Sequence, residues 1–164
     1  MKTFRLNLLC LLIAGLALGC SNEEAPQNTI SYLALGDSYT IGEGVAQNER
    51  WTEQLIDTLE QMGFTTLPPK TIAKTGWRTD QLKDSIARDI QIGRNYDLVS
   101  LLIGVNNLVQ GQSVNDFALE FEDLLQTAIN LAKGDANRVF VLSIPDYGRT
   151  PLGNTLAERQ LVRR

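Results

Sequence analysis

From Tyr96 to Ile103 the chain reads Tyr-Asp-Leu-Val-Ser-Leu-Leu-Ile, a nearly continuous apolar run. A run of this kind suits a central parallel strand buried on both faces. A strand covered twice needs helices on either side of its sheet, and the flanking sequence supplies them. Ile30 to Leu35 is a short apolar, β-rich segment that runs into Gly36-Asp37-Ser38. Trp51 to Met62 sets Trp51, Leu55, Ile56, Leu59 and Met62 at helical spacing, and Gly63 stops it as a C-cap does. A second strand is expected near Lys70 to Lys74, after Pro68-Pro69, and Thr79 to Ile90 reads as a helix with Leu82, Ile86 and Ile90 four apart. Ser113 to Asp116 resembles a capping box that opens a third helix, with Phe117, Phe121, Leu124, Leu125, Ala128 and Leu131 on one stripe. Arg138 to Ile144 completes the series as a fourth strand. The order β, α, β, α, β, α, β implies right-handed crossovers. The expected fold is α/β, a three-layer α/β/α arrangement on a flavodoxin-like parallel sheet.

One domain accounts for the 164 residues. Lys+Arg number 15 against 19 Asp+Glu, and no basic cluster offers the phosphate neutralisation that nucleic-acid binding needs. No nucleic-acid partner is expected. The count of His is 0, which removes the ordinary general base near neutral pH and the imidazole metal ligand. Both cysteines, Cys10 and Cys20, fall in the first twenty residues, so the rest of the chain has no internal disulfide and no thiolate metal site. Neither a metal nor a cofactor is expected.

Lys2 and Arg5 precede an apolar run from Leu6 to Leu18, too short to span a bilayer comfortably and shaped like a secretory signal. It ends in Leu16-Ala17-Leu18-Gly19-Cys20, which resembles a bacterial lipobox, where a small residue precedes the Cys that takes the lipid. A plain signal peptide or an uncleaved anchor are the alternatives. Residues 1–20 are thus expected to be a lipoprotein signal peptide, with Cys20 the lipidation site and membrane contact made through that lipid. The polar stretch 21–29 is expected to be a flexible tether, and 30–164 the folded domain. The implied location is the bacterial cell envelope, periplasmic or surface-exposed.

Three loops follow predicted strands: Gly36-Asp37-Ser38, Thr75-Gly76-Trp77 and Gly104-Val105-Asn106-Asn107. Functional groups of open α/β sheets gather beyond the carboxyl ends of the strands, so one edge collects all three. Ser38 is placed as a nucleophile would be, although Asp and Ser after a strand are also ordinary turn and capping residues. Gly76 brings a bare N–H within reach of a ligand, and Asn106 offers a side-chain N–H donor; each also serves as a turn residue. As a set they suit acyl transfer, in which a nucleophile and several fixed donors converge on one developing oxyanion. Gly42-Glu43-Gly44 lacks the third glycine of a dinucleotide loop, no phosphate-binding Gly-Lys-Ser/Thr loop exists, and Ser38 is not in a Gly-x-Ser-x-Gly elbow.

Gly36-Asp37-Ser38-Tyr39, Gly76 within Lys-Thr-Gly-Trp-Arg-Thr, and Gly104-Val105-Asn106-Asn107 together resemble the blocks of the SGNH hydrolase family, the GDSL esterases and lipases. The resemblance covers about Tyr32 to Pro151. Tyr39 stands where the family's name motif has Leu, and Asn107 where an Asp is frequent. The resemblance implies a serine ester hydrolase acting on a small acyl or acetyl ester, with Ser38 as nucleophile and Gly76 and Asn106 completing the oxyanion hole. The family's Asp-x-x-His block has no counterpart here, which implies a chain truncated before its final strand and helix and inactive for want of its base. Lys74 as a Ser-Lys partner and Asp146 as a site carboxylate are weaker readings. A non-catalytic carbohydrate- or lipid-binding pseudoenzyme is the alternative.

Overall fold

The computed structural model describes residues 29–93, 95–146 and 149. The signal segment, Cys20 and residues 21–28 of the tether lie outside them, as do residues 150–164. In chain order the elements are β1 (Thr29–Ile30), β2 (Tyr32–Gly36), α1 (Ser38–Ile41), α2 (Trp51–Gln61), β3 (Thr65–Thr66), β4 (Lys70–Ala73), α3 (Thr79–Arg88), β5 (Leu98–Leu102), α4 (Val105–Val109), α5 (Val114–Leu131) and β6 (Val139–Val141). Thr29, the last residue of the expected tether, pairs with Thr65 in a small parallel ribbon of β1 and β3.

The main sheet has the order β4-β2-β5-β6 and every pairing is parallel. The chain steps outward from β2 to β4, then crosses back to β5 and β6, which is the flavodoxin-like pattern. The reversal falls between β2 and β5, where a crevice opens beyond the carboxyl ends of the strands.

Side chains alternate across this sheet with the period of two that extended backbone imposes. Leu33, Leu35, Val99, Leu101 and Ile72 face α3 and α5, where they bury with Leu82, Ile86, Leu124, Ala128 and Leu131. Tyr32 and Ala34 face the other way and bury with Ile56 of α2, flanked by Trp51, Leu55 and Phe140. Helices thus cover both faces, as the run at 96–103 required. A polar pair buried in the second layer is satisfied: the Tyr32 hydroxyl and Ser100 Oγ are 2.7 Å apart, and burial pushes the Tyr32 phenol far above its usual range.

Element ends differ from the sequence expectations for local reasons. The helix expected to reach Ile90 ends at Arg88, because Asp89 adopts extended backbone (ψ 93°) and pairs with Lys70 at 2.8 Å. Ile90 is left 97% exposed, so the third member of the four-residue stripe is not core. The run at 96–103 is a strand only over Leu98–Leu102, with Ile103 buried just beyond its end. The fourth strand shortens to Val139–Val141, since Arg138 belongs to a 3₁₀ turn capped by Asp135. Ser113 does cap α5: its Oγ accepts the Asp116 N–H at 3.1 Å and donates to the Asp116 carboxylate at 2.7 Å.

Candidate active site

Ser38 is the first residue of α1, a four-residue helix directly after β2. Gly36 makes the tight departure from the strand possible: a Cβ there would sit 2.0 Å from Thr40 Oγ1 and 2.4 Å from the Leu102 carbonyl oxygen. Asp37 is the N-cap, its Oδ1 accepting the Tyr39 N–H at 3.0 Å while its carbonyl accepts from Thr40 and Ile41. The bland capping reading of Asp37 is therefore its structural role, and the cap fixes the neighbouring serine. Ser38 lines a cleft of about 530 Å³ with Tyr39, Arg50, Trp51, Val105 and Asn106 among its walls. Trp51 is locked in that wall by its indole N–H, which donates to the Tyr39 carbonyl at 3.0 Å.

Asn106 is the second residue of α4, the short helix after β5. Its Nδ2 donates to the Trp77 carbonyl at 2.9 Å and lies 3.5 Å from Asp37 Oδ2. The amide thus bridges the loops that follow β4 and β2. Gly76 sits in the first of these loops at φ 80°, in the left-handed region that only glycine adopts without strain. Its carbonyl accepts from Gln110 Nε2 at 3.2 Å, and it does not line the Ser38 cleft itself. The structure brings Ser38 and Asn106 to one cleft and places Gly76 next to Trp77, whose carbonyl holds Asn106.

Two features of this edge arise only in the folded chain. Asn107 is fully buried and joins α4 to α3 and to the loop that follows α4. Its Oδ1 accepts the Thr79 N–H at 3.2 Å, and its Nδ2 donates to Thr79 Oγ1 at 2.5 Å and to Gln112 Oε1. Glu120 of α5 closes the network through Thr79 Oγ1 and, at 2.8 Å, Gln112 Nε2. Only long-range pairing reveals such a network, since each member is an unremarkable polar residue in sequence. The second feature is Asp37 itself, which is 1% exposed and has no ion-pair partner among the described residues. Burial pushes its carboxyl up to about 6, against the opposing pull of the backbone N–H groups of Tyr39 and of Asp37 itself.

Lys74 is exposed and does not line the cleft, so a Ser-Lys pair has no geometric basis. Asp146 is exposed and pairs with Arg149 at 2.9 Å. Among the described residues no three His, Cys, Asp or Glu side chains are grouped as a metal site, and no helix is long and apolar enough to cross a membrane. What the edge offers chemically is a cleft hydroxyl, that of Ser38, with the side-chain amide of Asn106 in the same walls.

Comparison with known proteins agrees with this fold. Residues 34–164 match the model of the GDSL-like lipase/acylhydrolase family. No curated protein matches the sequence. Among solved structures, AlinE4, an SGNH-hydrolase family esterase, is similar at 18% identity over 80% of this chain and 72% of that one, with a TM-score of 0.59. TesA is similar at 19% identity over 79% and 69% of the two chains, TM-score 0.59. The lipase Lip_vut3 from a goat rumen metagenome is similar at 16% identity over 79% and 71%, TM-score 0.61. At such identities the likeness is one of fold.

Proposed function

The chain belongs to the GDSL-like lipase/acylhydrolase family, and from that premise we propose that its site is that of a serine ester hydrolase held at the cell envelope by a lipid on Cys20. The observation that carries the reading is the meeting of Ser38 and Asn106 in one cleft, with the Asn106 amide bonded to the Trp77 carbonyl beside Gly76. In the reaction, Ser38 Oγ attacks the acyl carbonyl and a base takes its proton. The Ser38 N–H and the Asn106 amide stabilise the oxyanion of the tetrahedral intermediate, which collapses to an acyl-enzyme as the alcohol leaves with the proton the base returns; water then hydrolyses the acyl-enzyme. The substrate is a small acyl or acetyl ester.

A serine hydroxyl is a poor nucleophile until a base removes its proton, and the 164 residues contain no His. This polypeptide by itself is therefore proposed to be nearly inert. The same fact favours a second reading, a non-catalytic carbohydrate- or lipid-binding protein that keeps the cleft without the chemistry. Joining the chain to a segment that supplies Asp-x-x-His separates the two. The hydrolase reading expects hydrolysis of short p-nitrophenyl esters, reduced about a million-fold by Ser38→Ala; no hydrolysis by the joined chain favours the binding protein. The anchor is tested by labelling with an alkyne fatty acid, where equal label in the parent and in Cys20→Ala rules the lipid out.

A further inference from the structure

Every described arginine but one has a carboxylate partner. Arg78 pairs with Asp80, Arg88 with Asp84, Arg138 with Asp97 and Asp135, and Arg149 with Asp146. Arg50 forms no ion pair among the described residues, and its Nε is buried without a hydrogen-bond partner. It is also the arginine that lines the Ser38 cleft.

Its position is fixed by packing. Gly42 caps the C-terminal end of α1 at φ 66°, its N–H donating to the Ser38 carbonyl. A Cβ at that glycine would lie 2.5 Å from Arg50 Cγ and 3.1 Å from Cδ. The aliphatic stem of Arg50 therefore lies against the backbone of the same four-residue helix that begins with Ser38. A pinned stem with an unpaired head is preorganised, and a buried donor left without an acceptor is costly until one arrives. Two carboxylates, Glu43 and Glu49, also line the cleft. Each already has a donor: Glu43 Oε2 accepts from Thr75 Oγ1 at 2.6 Å, and Glu49 Oε2 from the Ala46 N–H at 3.4 Å.

We propose that Arg50 determines substrate choice in the Ser38 cleft by pairing with a carboxylate carried on the acyl or alcohol part of the ester. The proposal rests on the ester-hydrolase reading of the same cleft. A planar carboxylate matches the guanidinium fork through two parallel N–H···O bonds. With Glu43 and Glu49 in the same walls, a singly charged group is favoured over a doubly charged phosphate, which those carboxylates repel more strongly.

The test uses amide analogues of succinate esters, which occupy the site without rapid turnover. N-methylsuccinamate, bearing one free carboxylate, and the neutral N,N′-dimethylsuccinamide are titrated into the full chain, following the Trp51 indole N–H by NMR. The expected result is about tenfold tighter binding of the carboxylate compound, the scale of one charge-assisted hydrogen bond. Arg50→Gln should erase that preference, and Arg50→Lys should restore part of it. Equal affinity of the native chain for both compounds overturns the role of Arg50 and leaves the ester site standing. Binding of neither compound overturns the ester-site reading, and the Arg50 proposal with it. The native comparison decides even if a variant fails to fold.

Discussion

Asp97, just ahead of β5, and Asp37, just past β2, are acidic residues at opposite ends of the same sheet, yet among the described residues only the first has cations around it. The Asp97 carboxylate accepts the Ser31 N–H at 3.0 Å and the Ser31 hydroxyl at 2.7 Å, and it pairs with Lys133 and Arg138. Burial works to raise its pKa, but Lys133 and Ser31 outweigh it and hold the carboxyl at about 2. Asp37 is buried more deeply, has no cation paired with it among the described residues, and is pushed up to about 6. The amino end of the sheet is built as a satisfied electrostatic clamp. The carboxyl end keeps an ionisable group in an unfavourable state next to Ser38, as functional sites do and stability alone does not require.

The contrast yields predictions of decreasing size. At the carboxyl end, Asn106→Ala in the chain joined to an Asp-x-x-His segment should lower kcat about a hundred- to a thousand-fold by removing one oxyanion donor. Its thermal midpoint should stay close to the parent, and an unchanged kcat would remove Asn106 from the hole. At the amino end, Asp97→Asn should destabilise the fold by about 2 kcal/mol at pH 7, as measured by urea unfolding. Because the folded pKa is depressed, the Asp97 contribution is present above about pH 4 and lost as pH falls toward 2, so parent and variant should converge in acid.

Asp37 should behave in the opposite sense. Its folded pKa is raised, so its contribution is full below about pH 4 and lost as pH rises through about 6. Asn caps a helix about as well as Asp, so Asp37→Asn should leave α1 intact and be neutral to stabilising at pH 7, by up to about 2 kcal/mol. That gain should vanish below pH 4. A loss of stability at pH 7 from Asp37→Asn would contradict the account of this carboxylate as an unpaired buried charge.

The sheet was legible because its two central strands, Tyr32–Gly36 and Leu98–Leu102, lie in nearly continuous apolar runs and its main helices carry stripes of ten or more residues, such as Thr79–Arg88 and Val114–Leu131. The two helices that hold the site, Ser38–Ile41 and Val105–Val109, were not, since four or five residues cannot show a 3.6-residue period. Ile90 misled for the reverse reason: it keeps the spacing of Leu82 and Ile86 but follows the helix end set by Asp89. The meeting of Ser38 with Asn106 was legible only as loops sharing a sheet edge. The Asn106 contacts with Trp77 and Asp37 and the Asn107–Thr79 pair arise from pairing across 28 to 69 residues, and the unpaired Arg50 from packing; none leaves a local pattern.

The central claim, that Ser38 is a nucleophile awaiting a base, is tested most directly by covalent labelling. The chain alone and the chain joined to an Asp-x-x-His segment are treated with a fluorophosphonate, and the modified peptide is located by mass spectrometry. The account predicts an adduct on Ser38 in the joined chain, little or none in the chain alone, and none with Ser38→Ala. An adduct on another residue, or equal labelling of the joined chain and its Ser38→Ala variant, would contradict it.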